Sequence, residues 1–536
     1  MRDASLAARA CAGALVTLGL IASGHLGIPE ALITLAALVV VPLGLAAIGA
    51  SIPRVLSLAC GLSLAISMWL PRGPLAAALA VPWLLVTLLV AITGARRALA
   101  RGRVPLEELV IDTGCVLLAI AGVWTVAARL GIHLLGFDET WCALTAAHFH
   151  YAGFALSVLA GLSGRVRALP RPIAWTLIVG PMLVALGITF SPALEVAASW
   201  ALALAALGVG GLQIVEAMRV PSPARALLFV SGLALDGGML LALAFSLANY
   251  LGFAHPTIGE MLHSHAPLNA VGFALAGMIA RTIATPPSRR RDVRAVLGRT
   301  RARSHVGLGF FAAHPSATGL VDSIDRYAHA GLDPSRVDPE VRRFYERTGE
   351  FVLRVRARWV PAFVPLARVF VPIARRMGNL VLPLPEDGVC VVKSALFALP
   401  DEGERRHVRG SERAYASGAP MYVAAYAVHA HLMNIALPLP WSRLTSILRM
   451  NAHGAHGAIT LSSITREESP FDEGLFLSTP LGVIAVPLSE HLTLHPRAHA
   501  PSVPDFADAG TTLVALHVFR VFGVRCLELD YAIGPA

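Results

Sequence analysis

Two pairs of histidines lie inside segments of this chain that are otherwise apolar. The first pair is His148 and His150, and the second is His263 and His265. Each pair is followed, a few residues later, by the same four residues, Gly-Phe-Ala-Leu. Ionisable side chains are costly inside a bilayer, so those that are present are candidates for function. Imidazole is suited to proton transfer, to cation binding and to ligation of a metal or a haem.

Polar side chains of the two segments are expected at the same two depths in the membrane. With a rise of about 1.5 Å per residue from the predicted outer end of each segment, His148 and His265 lie about 10–12 Å deep. On the same scale, His150 and Asn269 lie about 15–16 Å deep. One side chain from each segment can therefore face a shared ion or cofactor. Histidines two apart on a regular helix point about 200° apart, so His148 and His150 do not both face one ion.

A carboxyl group, that of Asp236, lies in the middle of another apolar segment and is followed by two glycines. An aspartate at that depth must be protonated, paired or hydrated. The predicted substrate or proton path consists of His148, His150, Asp236, His263, His265 and Asn269. Three interpretations stay open. They are a transporter-like or channel-like path, a haem or divalent metal held by one histidine from each segment, and a network that only holds helices together.

The elements that must position these residues are membrane spans. The chain has 536 residues, of which 55% are hydrophobic, and its mean hydropathy is +0.65, which excludes an ordinary soluble protein. The apolar runs, about 20 residues long, fit a hydrocarbon core about 30 Å thick. The sequence predicts ten spans in an α-helical polytopic bundle, near residues 6–24, 30–50, 54–70, 74–94, 108–129, 140–161, 172–190, 194–216, 226–249 and 258–280.

The arginines predict the orientation of this bundle. The formal charge of +10 is carried almost wholly by arginine, since Lys393 is the only lysine. Arginines cluster after the even-numbered spans, whereas the opposite loops contain only Arg72 and Arg129. By the positive-inside rule, the N-terminus and the region after the last span are cytoplasmic, in a plasma membrane of the bacterial inner-membrane type.

An arginine-rich linker at 285–308 separates the membrane domain, 1–284, from a less apolar region at 309–536. Basic residues directly after a span attract anionic lipid headgroups. The residues predicted to make such contacts are Arg289, Arg290, Arg291 and Arg294. Because no aromatic residues are interleaved with them, the sequence does not predict nucleic-acid binding.

The region at 309–536 is predicted to be a cytoplasmic α+β domain with an antiparallel sheet or an open barrel. An amphipathic helix is expected at 339–347, with proline in its first turn. A second helix, at 361–377, alternates apolar and arginine residues and is expected to lie on a membrane surface. Strands are expected near 389–397, 420–431, 444–450, 458–463, 474–478, 482–488, 511–519 and 524–531.

Histidines in this region leave two interpretations open, a divalent metal site and side chains that face solvent. No cysteine or carboxylate motif completes a metal site, so the sequence favours solvent-facing histidines. His429 and His431 share one face of a predicted strand, and His453 and His456 lie in a glycine-rich turn. No phosphate loop, nucleophile elbow or kinase signature is present, so no enzymatic activity is predicted and a regulatory role is expected. The six cysteines show no Cys-x-x-Cys spacing and are expected to be packing residues.

The sixth span resembles the His-Phe-His-Tyr helix of haem–copper oxidases, whose two opposed histidines bind two different haems. The rest of that signature is missing, because no adjacent His-His pair follows and His255-Pro256 lies in a predicted loop. The sequence therefore argues against a terminal oxidase and leaves a single haem open.

A fuller resemblance is to the YndJ-like membrane proteins. Residues 144–154 resemble the hallmark of that family, and His265 with residues 268–274 resembles its companion span. Residues 344–348, 382–384 and 527–531 resemble a domain of unknown function that is sometimes fused to these proteins. The resemblance implies a polytopic membrane protein, sometimes labelled a transporter by analogy, without an established substrate or mechanism.

Overall fold

The computed structural model describes residues 4–24, 26–50, 52–102, 105–288, 296–464 and 473–536. Contacts divide the chain into two compact units, with the change from one to the other near residue 290. The residues predicted to contact lipid headgroups, Arg289, Arg290, Arg291 and Arg294, lie outside the described residues.

The first unit is a bundle of apolar helices. Within the described residues they are α1 (Ala4–Ala22), α2 (Ile28–Ala47), α3 (Arg54–Trp69), α4 (Pro74–Arg101), α5 (Leu106–Leu130), α6 (Glu139–Val166), α7 (Arg171–Phe190), α8 (Pro192–Ala217), α9 (Ala224–Leu251) and α10 (Ile258–Ile283). Each corresponds to one predicted span. Eight of them, α2 and α4 to α10, are long and apolar enough to cross a membrane, whereas α1 and α3 have shorter apolar cores.

Caps and small residues explain where these helices end and how they pack. Thr257 accepts a hydrogen bond from the amide of Glu260, whose carboxylate accepts one from the amide of Thr257, which fixes the start of α10. Helices α8 and α9 meet at two glycines, because a Cβ on Gly232 would lie 2.7 Å from the carbonyl oxygen of Gly210. Such small residues allow the close approach of helices that membrane packing requires.

The second unit is built around an antiparallel sheet. Its helices include α11 (Pro339–Glu346) and α12 (Val364–Met377). Its strands are β1 (Phe351–Trp359), β2 (Val389–Ala398), β3 (Arg406–Tyr415), β4 (Pro420–His429), β5 (Leu432–Leu439), β6 (Ser442–His453), β7 (Ala458–Ser462), β8 (Gly474–Thr479), β9 (Gly482–Val486), β10 (Leu488–Pro496), β11 (Leu513–Val521) and β12 (Val524–Pro535).

The strands close into a barrel, which the prediction of an antiparallel sheet or an open barrel did not anticipate. The order is β5-β4-β3-β2-β1-β12-β11-β10-β7-β6, and β6 pairs in turn with β5, so that ten strands form a ring. The hairpin β8–β9 continues the sheet from β6. A closed ring removes the unpaired edges that would otherwise be open to aggregation.

Four strands were not predicted, namely β1, β3, β5 and β10. In β1, β3 and β10, polar residues hide the alternation that identifies a strand, whereas β5 is an almost continuous apolar run without alternation. In β1, for example, Leu353, Val355 and Ala357 point into the core, while Arg354 and Arg356 point outward and pair with acidic residues. A period of two is present, but arginine takes the place of the usual neutral outward residue.

Candidate functional site

Both histidine-containing segments depart from regular α-helix at their shared four-residue motif. Phe149–Ala155 in α6 and Leu268–Leu275 in α10 are π-helical. A third π-helical segment, Ala36–Val40, lies in α2, and the three segments contact one another. Because π-helix is rare and concentrates at functional sites, this junction is the candidate site of the membrane unit.

Side chains of the motif form the packed centre of this junction. Phe154 of α6 and Phe273 of α10 are buried. A Cβ on Gly44 of α2 would lie 2.9 Å from the ring of Phe154 and 3.2 Å from Met278 of α10. The three helices can therefore meet here only because α2 carries no side chain at residue 44.

The imidazole of His150 is fully occupied by structural contacts. It is buried, its Nδ1 donates to the carbonyl oxygen of Ala146 at 2.8 Å, and its Nε2 accepts from the indole of Trp83 at 3.1 Å. The rings of His150 and Trp83 are also stacked, with an interplanar angle of 16°. With both ring nitrogens used, His150 joins α6 to α4 and has no donor or acceptor left for a ligand.

His148 is in the opposite situation. Its side chain is exposed in the helical unit, and among the described residues its ring makes no hydrogen bond. It lies within electrostatic range of His265 on α10. The two histidines predicted to share one level are therefore neighbours.

His265 and Asn269 form a polar pair against a glycine of α9. Nδ1 of His265 donates to the carbonyl oxygen of Gly238 at 2.9 Å, and Nδ2 of Asn269 donates to the carbonyl oxygen of His265 at 2.9 Å. The same Nδ2 lies 3.4 Å from Nε2 of His265. His263 is exposed and bonds within its own helix, to the carbonyl oxygen of Gly259 at 2.7 Å.

Asp236 is not joined to this polar pair. Its carboxylate packs against Gly210 of α8, and its Oδ1 has no hydrogen-bond partner among the described residues. Gly238, two residues further along α9, faces Asn269 of α10 instead. Residues two apart on a helix point about 200° apart, so one helix separates the aspartate from His265 and Asn269.

Buried ion pairs at one end of the bundle form a second polar feature. Nε of Arg97 lies 3.0 Å from Asp112, and Nη2 of the same residue lies 3.7 Å from Glu108. Arg165 contacts Glu108 through two nitrogens, at 2.7 and 3.0 Å. The arginine distribution predicts only the orientation of the bundle. In the structure, Arg97 and Arg165 are also buried, and both contact carboxylates.

A similar pair lies on neighbouring helices. Arg281 is fully buried and donates to Glu216 and to the hydroxyl of Ser163, each at 2.7 Å. In the sequence, these buried ion pairs are indicated by the acidic residues Glu108, Asp112 and Glu216 near the helix ends. A carboxylate within a turn or two of a span end usually requires a cationic partner at the same depth.

The histidines of the second unit that left a metal site open do not converge on one point in the described part of the chain. Among the described residues, no three His, Cys, Asp or Glu side chains converge as a metal site would require. The four histidines have other partners instead. Arg449 donates to His431 at 2.9 Å, His429 lies 3.6 Å from Glu404, His453 packs against His495, and His456 stacks on His499.

Comparison with known proteins shows what the chain is similar to. Residues 31–273 match the model of the YndJ-like proteins. The chain is 28% identical over 445 residues to the uncharacterized membrane protein YndJ of Bacillus subtilis (strain 168), an alignment that covers 80% of this chain and 78% of that protein. No solved structure matches the chain. The resemblance indicated by the two histidine motifs is therefore confirmed: residues 31–273 are similar to the YndJ-like membrane proteins, and the similarity to the relative in Bacillus subtilis continues beyond that range.

Proposed function

We propose that the membrane unit is transporter-like and moves protons or a small cation along a path that includes His148, His265 and Asn269. The observation that supports the proposal is the contact of two π-helical segments, one directly preceded by His148 and the other preceded by His265, two histidines that interact electrostatically. Neutral imidazole can accept and release a proton, and the amide of Asn269 can donate and accept hydrogen bonds, without a fixed charge in the bilayer.

The π-helical geometry supports a moving part at this site. A π-helical turn contains one residue more than an α-helical turn over nearly the same length, so a shift between the two rotates the side chains beyond it. A change of this kind in α10 would alter the direction of His265 relative to His148.

Asp236 is proposed as a second site on the path that binds a proton or a cation. Its Oδ1 lacks a hydrogen-bond partner among the described residues, in the middle of an apolar helix. A charge at the bilayer centre costs about 3 kcal/mol or more, so a carboxyl retained there favours a role in binding protons or cations.

The buried ion pairs are proposed to close one end of the bundle. Breaking a buried pair by removing one partner costs about 3–5 kcal/mol, so Arg165–Glu108 and Arg281–Glu216 would keep these helix ends together. The arginine distribution assigns that end to the cytoplasm. We infer an inner-membrane protein whose N-terminus and C-terminal domain are both cytoplasmic.

The proposal is tested by proton and cation flux into proteoliposomes that contain a pH-sensitive dye. His148→Ala and His265→Ala should each reduce flux by about a hundredfold, because positioned proton-transfer groups contribute effects of that order. Asp236→Asn should also lose flux while folding normally. His263→Ala is the matched control, since His263 is exposed and bonds only within its own helix.

A result in which His263→Ala is as damaging as His148→Ala, or in which all three path variants keep full flux, would contradict the proposal. Either result would leave the scaffold interpretation, in which the polar residues only hold the helices together.

A second candidate function is haem or metal binding by His148 and His265. It is favoured by the hydrogen bond that His265 donates from Nδ1 to the carbonyl oxygen of Gly238, since ligating histidines usually donate their other nitrogen to a carbonyl or carboxylate. Nε2 of His265 then carries the lone pair that a metal needs. An absorption spectrum of the purified protein separates this candidate from the first, because a bis-histidine haem produces a Soret band that His265→Ala would abolish.

A further inference from the structure

Arg413 lies on the inward face of the closed barrel. In the register of the sheet, Arg413 lies opposite Tyr422 of β4 and opposite Ser394 of β2. Residues that lie opposite each other in an antiparallel sheet have their side chains on the same face. Val392, two residues before Ser394 on β2, is on that face, and so is Leu353 of β1, which lies opposite Val392; both belong to the barrel core.

The guanidinium of Arg413 is buried without a compensating carboxylate. The residue is 7% exposed, and its Nε has no hydrogen-bond partner among the described residues. No described Asp or Glu carboxylate forms an ion pair with it, although arginine retains its charge at any physiological pH. A buried cation of this kind is costly unless an anion completes its surroundings.

The groups around Arg413 are tyrosines. Its guanidinium carbon lies 5.1 Å from the ring centre of Tyr422, whose hydroxyl oxygen is 2.9 Å from that of Tyr426. Tyr345 of α11 and Tyr531 of β12 also lie within electrostatic range. Burial raises the pKa of the phenols of Tyr345, Tyr426 and Tyr531 above the ordinary value for tyrosine. These phenols are therefore neutral and do not balance the positive charge of Arg413.

The other buried charged side chains described in the barrel region have partners, which makes Arg413 an exception. Arg405, which is buried more deeply than Arg413, lies 2.6 Å from Glu402 and donates to the carbonyl oxygen of Ala425. The buried carboxylate of Glu490 accepts from the ring of His517 at 2.8 Å and from the hydroxyl of Ser446. The fold thus supplies partners for buried charges elsewhere and leaves this one open.

We infer that Arg413 and the tyrosines around it bind an oxyanion, a carboxylate or a phosphate, inside the barrel. The guanidinium provides a planar pair of donors that matches either group, and the phenol hydroxyls can donate to its remaining oxygens. The rest of the inward face is largely apolar, with residues such as Leu353, Leu494 and Ile533. The oxyanion can be the headgroup of an acyl ligand or a free inorganic ion, and barrels of this size accommodate small ligands.

The test is isothermal titration of the full-length protein in phosphatidylcholine nanodiscs. One arm uses decanoate, with uncharged decanol as its comparison, and the other uses inorganic phosphate. Arg413→Met should weaken binding by about tenfold or more, as expected for loss of a charge-assisted hydrogen bond. It should keep or raise the thermal unfolding midpoint, because it removes a charge without a partner. Arg358→Met is the matched control, since Arg358 lies on the outer face of β1 and is half exposed.

Binding of decanoate that depends on Arg413 supports an acyl ligand, and binding of phosphate alone supports a free anion. The inference is overturned if neither anion binds, if decanol binds as well as decanoate, or if Arg413→Met binds like the wild type. Should Arg413→Met fail to fold, Arg413→Lys keeps the charge but removes the planar fork, and is expected to bind more weakly than the wild type. Equal affinity of Arg413→Lys and wild type would also contradict the inference.

Discussion

Histidines of one motif, two residues apart, have different environments in this protein. His150 is buried and uses both ring nitrogens, whereas His148 is exposed and makes no hydrogen bond within the described residues. The difference comes from helix geometry, because side chains two apart point about 200° apart even before the local π-helical distortion. His150 therefore contributes to packing, and His148 is the residue of this pair that is available for chemistry.

This division of roles predicts the effect of Trp83→Phe. The substitution keeps an aromatic ring beside His150 but removes the indole N–H, so Nε2 loses its donor in a buried site. The expected loss of stability is about 1–3 kcal/mol, the cost of leaving a buried acceptor without a partner.

Thermal unfolding of the purified protein measures that loss, and flux through the folded fraction should be unchanged. Trp69→Phe, which changes a more exposed tryptophan, serves as the control. A normal unfolding midpoint together with lost flux would place His150 on the path instead.

Helix α12 has an apolar face that the barrel unit does not cover. Leu366, Val369 and Ile373 are 65%, 63% and 51% exposed, and they follow one another at helical spacing. Arg368 and Arg375 lie on the same helix. An apolar face with flanking arginines is typical of a helix that lies on an anionic membrane surface, as the sequence predicts.

For α12, we expect binding to anionic lipid. A cysteine at Val369, labelled with an environment-sensitive fluorophore, should shift its emission to the blue when phosphatidylcholine nanodiscs are replaced by nanodiscs rich in phosphatidylglycerol. The same label at Ser417, in the exposed turn between β3 and β4, is the control. Equal spectra in both lipids at residue 369 would argue against a membrane contact of this helix.

At the scale of the whole molecule, the arginine distribution sets the expected topology. The ten apolar helices, of which eight are long enough to cross a bilayer by themselves, alternate with loops that are rich and poor in arginine. This pattern predicts an even number of crossings, with both ends of the membrane domain in the cytoplasm.

Reporter fusions test this topology directly. Fusions ending after Arg167 and Arg225 should report a cytoplasmic location, and fusions ending near Gly27, His133 and His255 should report the opposite side. The fusion near Gly27 is decisive for α1, the helix that precedes it, since it reports outside only if α1 crosses. Two or more reversed loops would require a different number of spans.

By itself, the sequence determined the elements of this protein and the residues of interest. Apolar runs bounded by proline, glycine and arginine located every helix of the membrane unit, because hydropathy and chain punctuation are local properties. The two histidine motifs indicated the YndJ-like family, and alternation located eight of the twelve strands. Strands such as β1, which carries outward arginines, were missed because their pattern depends on which face the core covers.

Only the tertiary structure decided which of those residues meet. The partner of His150 is Trp83, 67 residues away, and Asp236 faces Gly210 of α8 while its neighbour Gly238 faces Asn269 of α10. Helical periodicity gives the angle between side chains on one helix, but not the identity of the neighbouring helix on each side. The sequence likewise does not distinguish Arg413 from its other arginines, because the neighbours of Arg413 come from other elements. Closure of the barrel buries its side chain among tyrosines from separate elements and leaves its charge without a carboxylate.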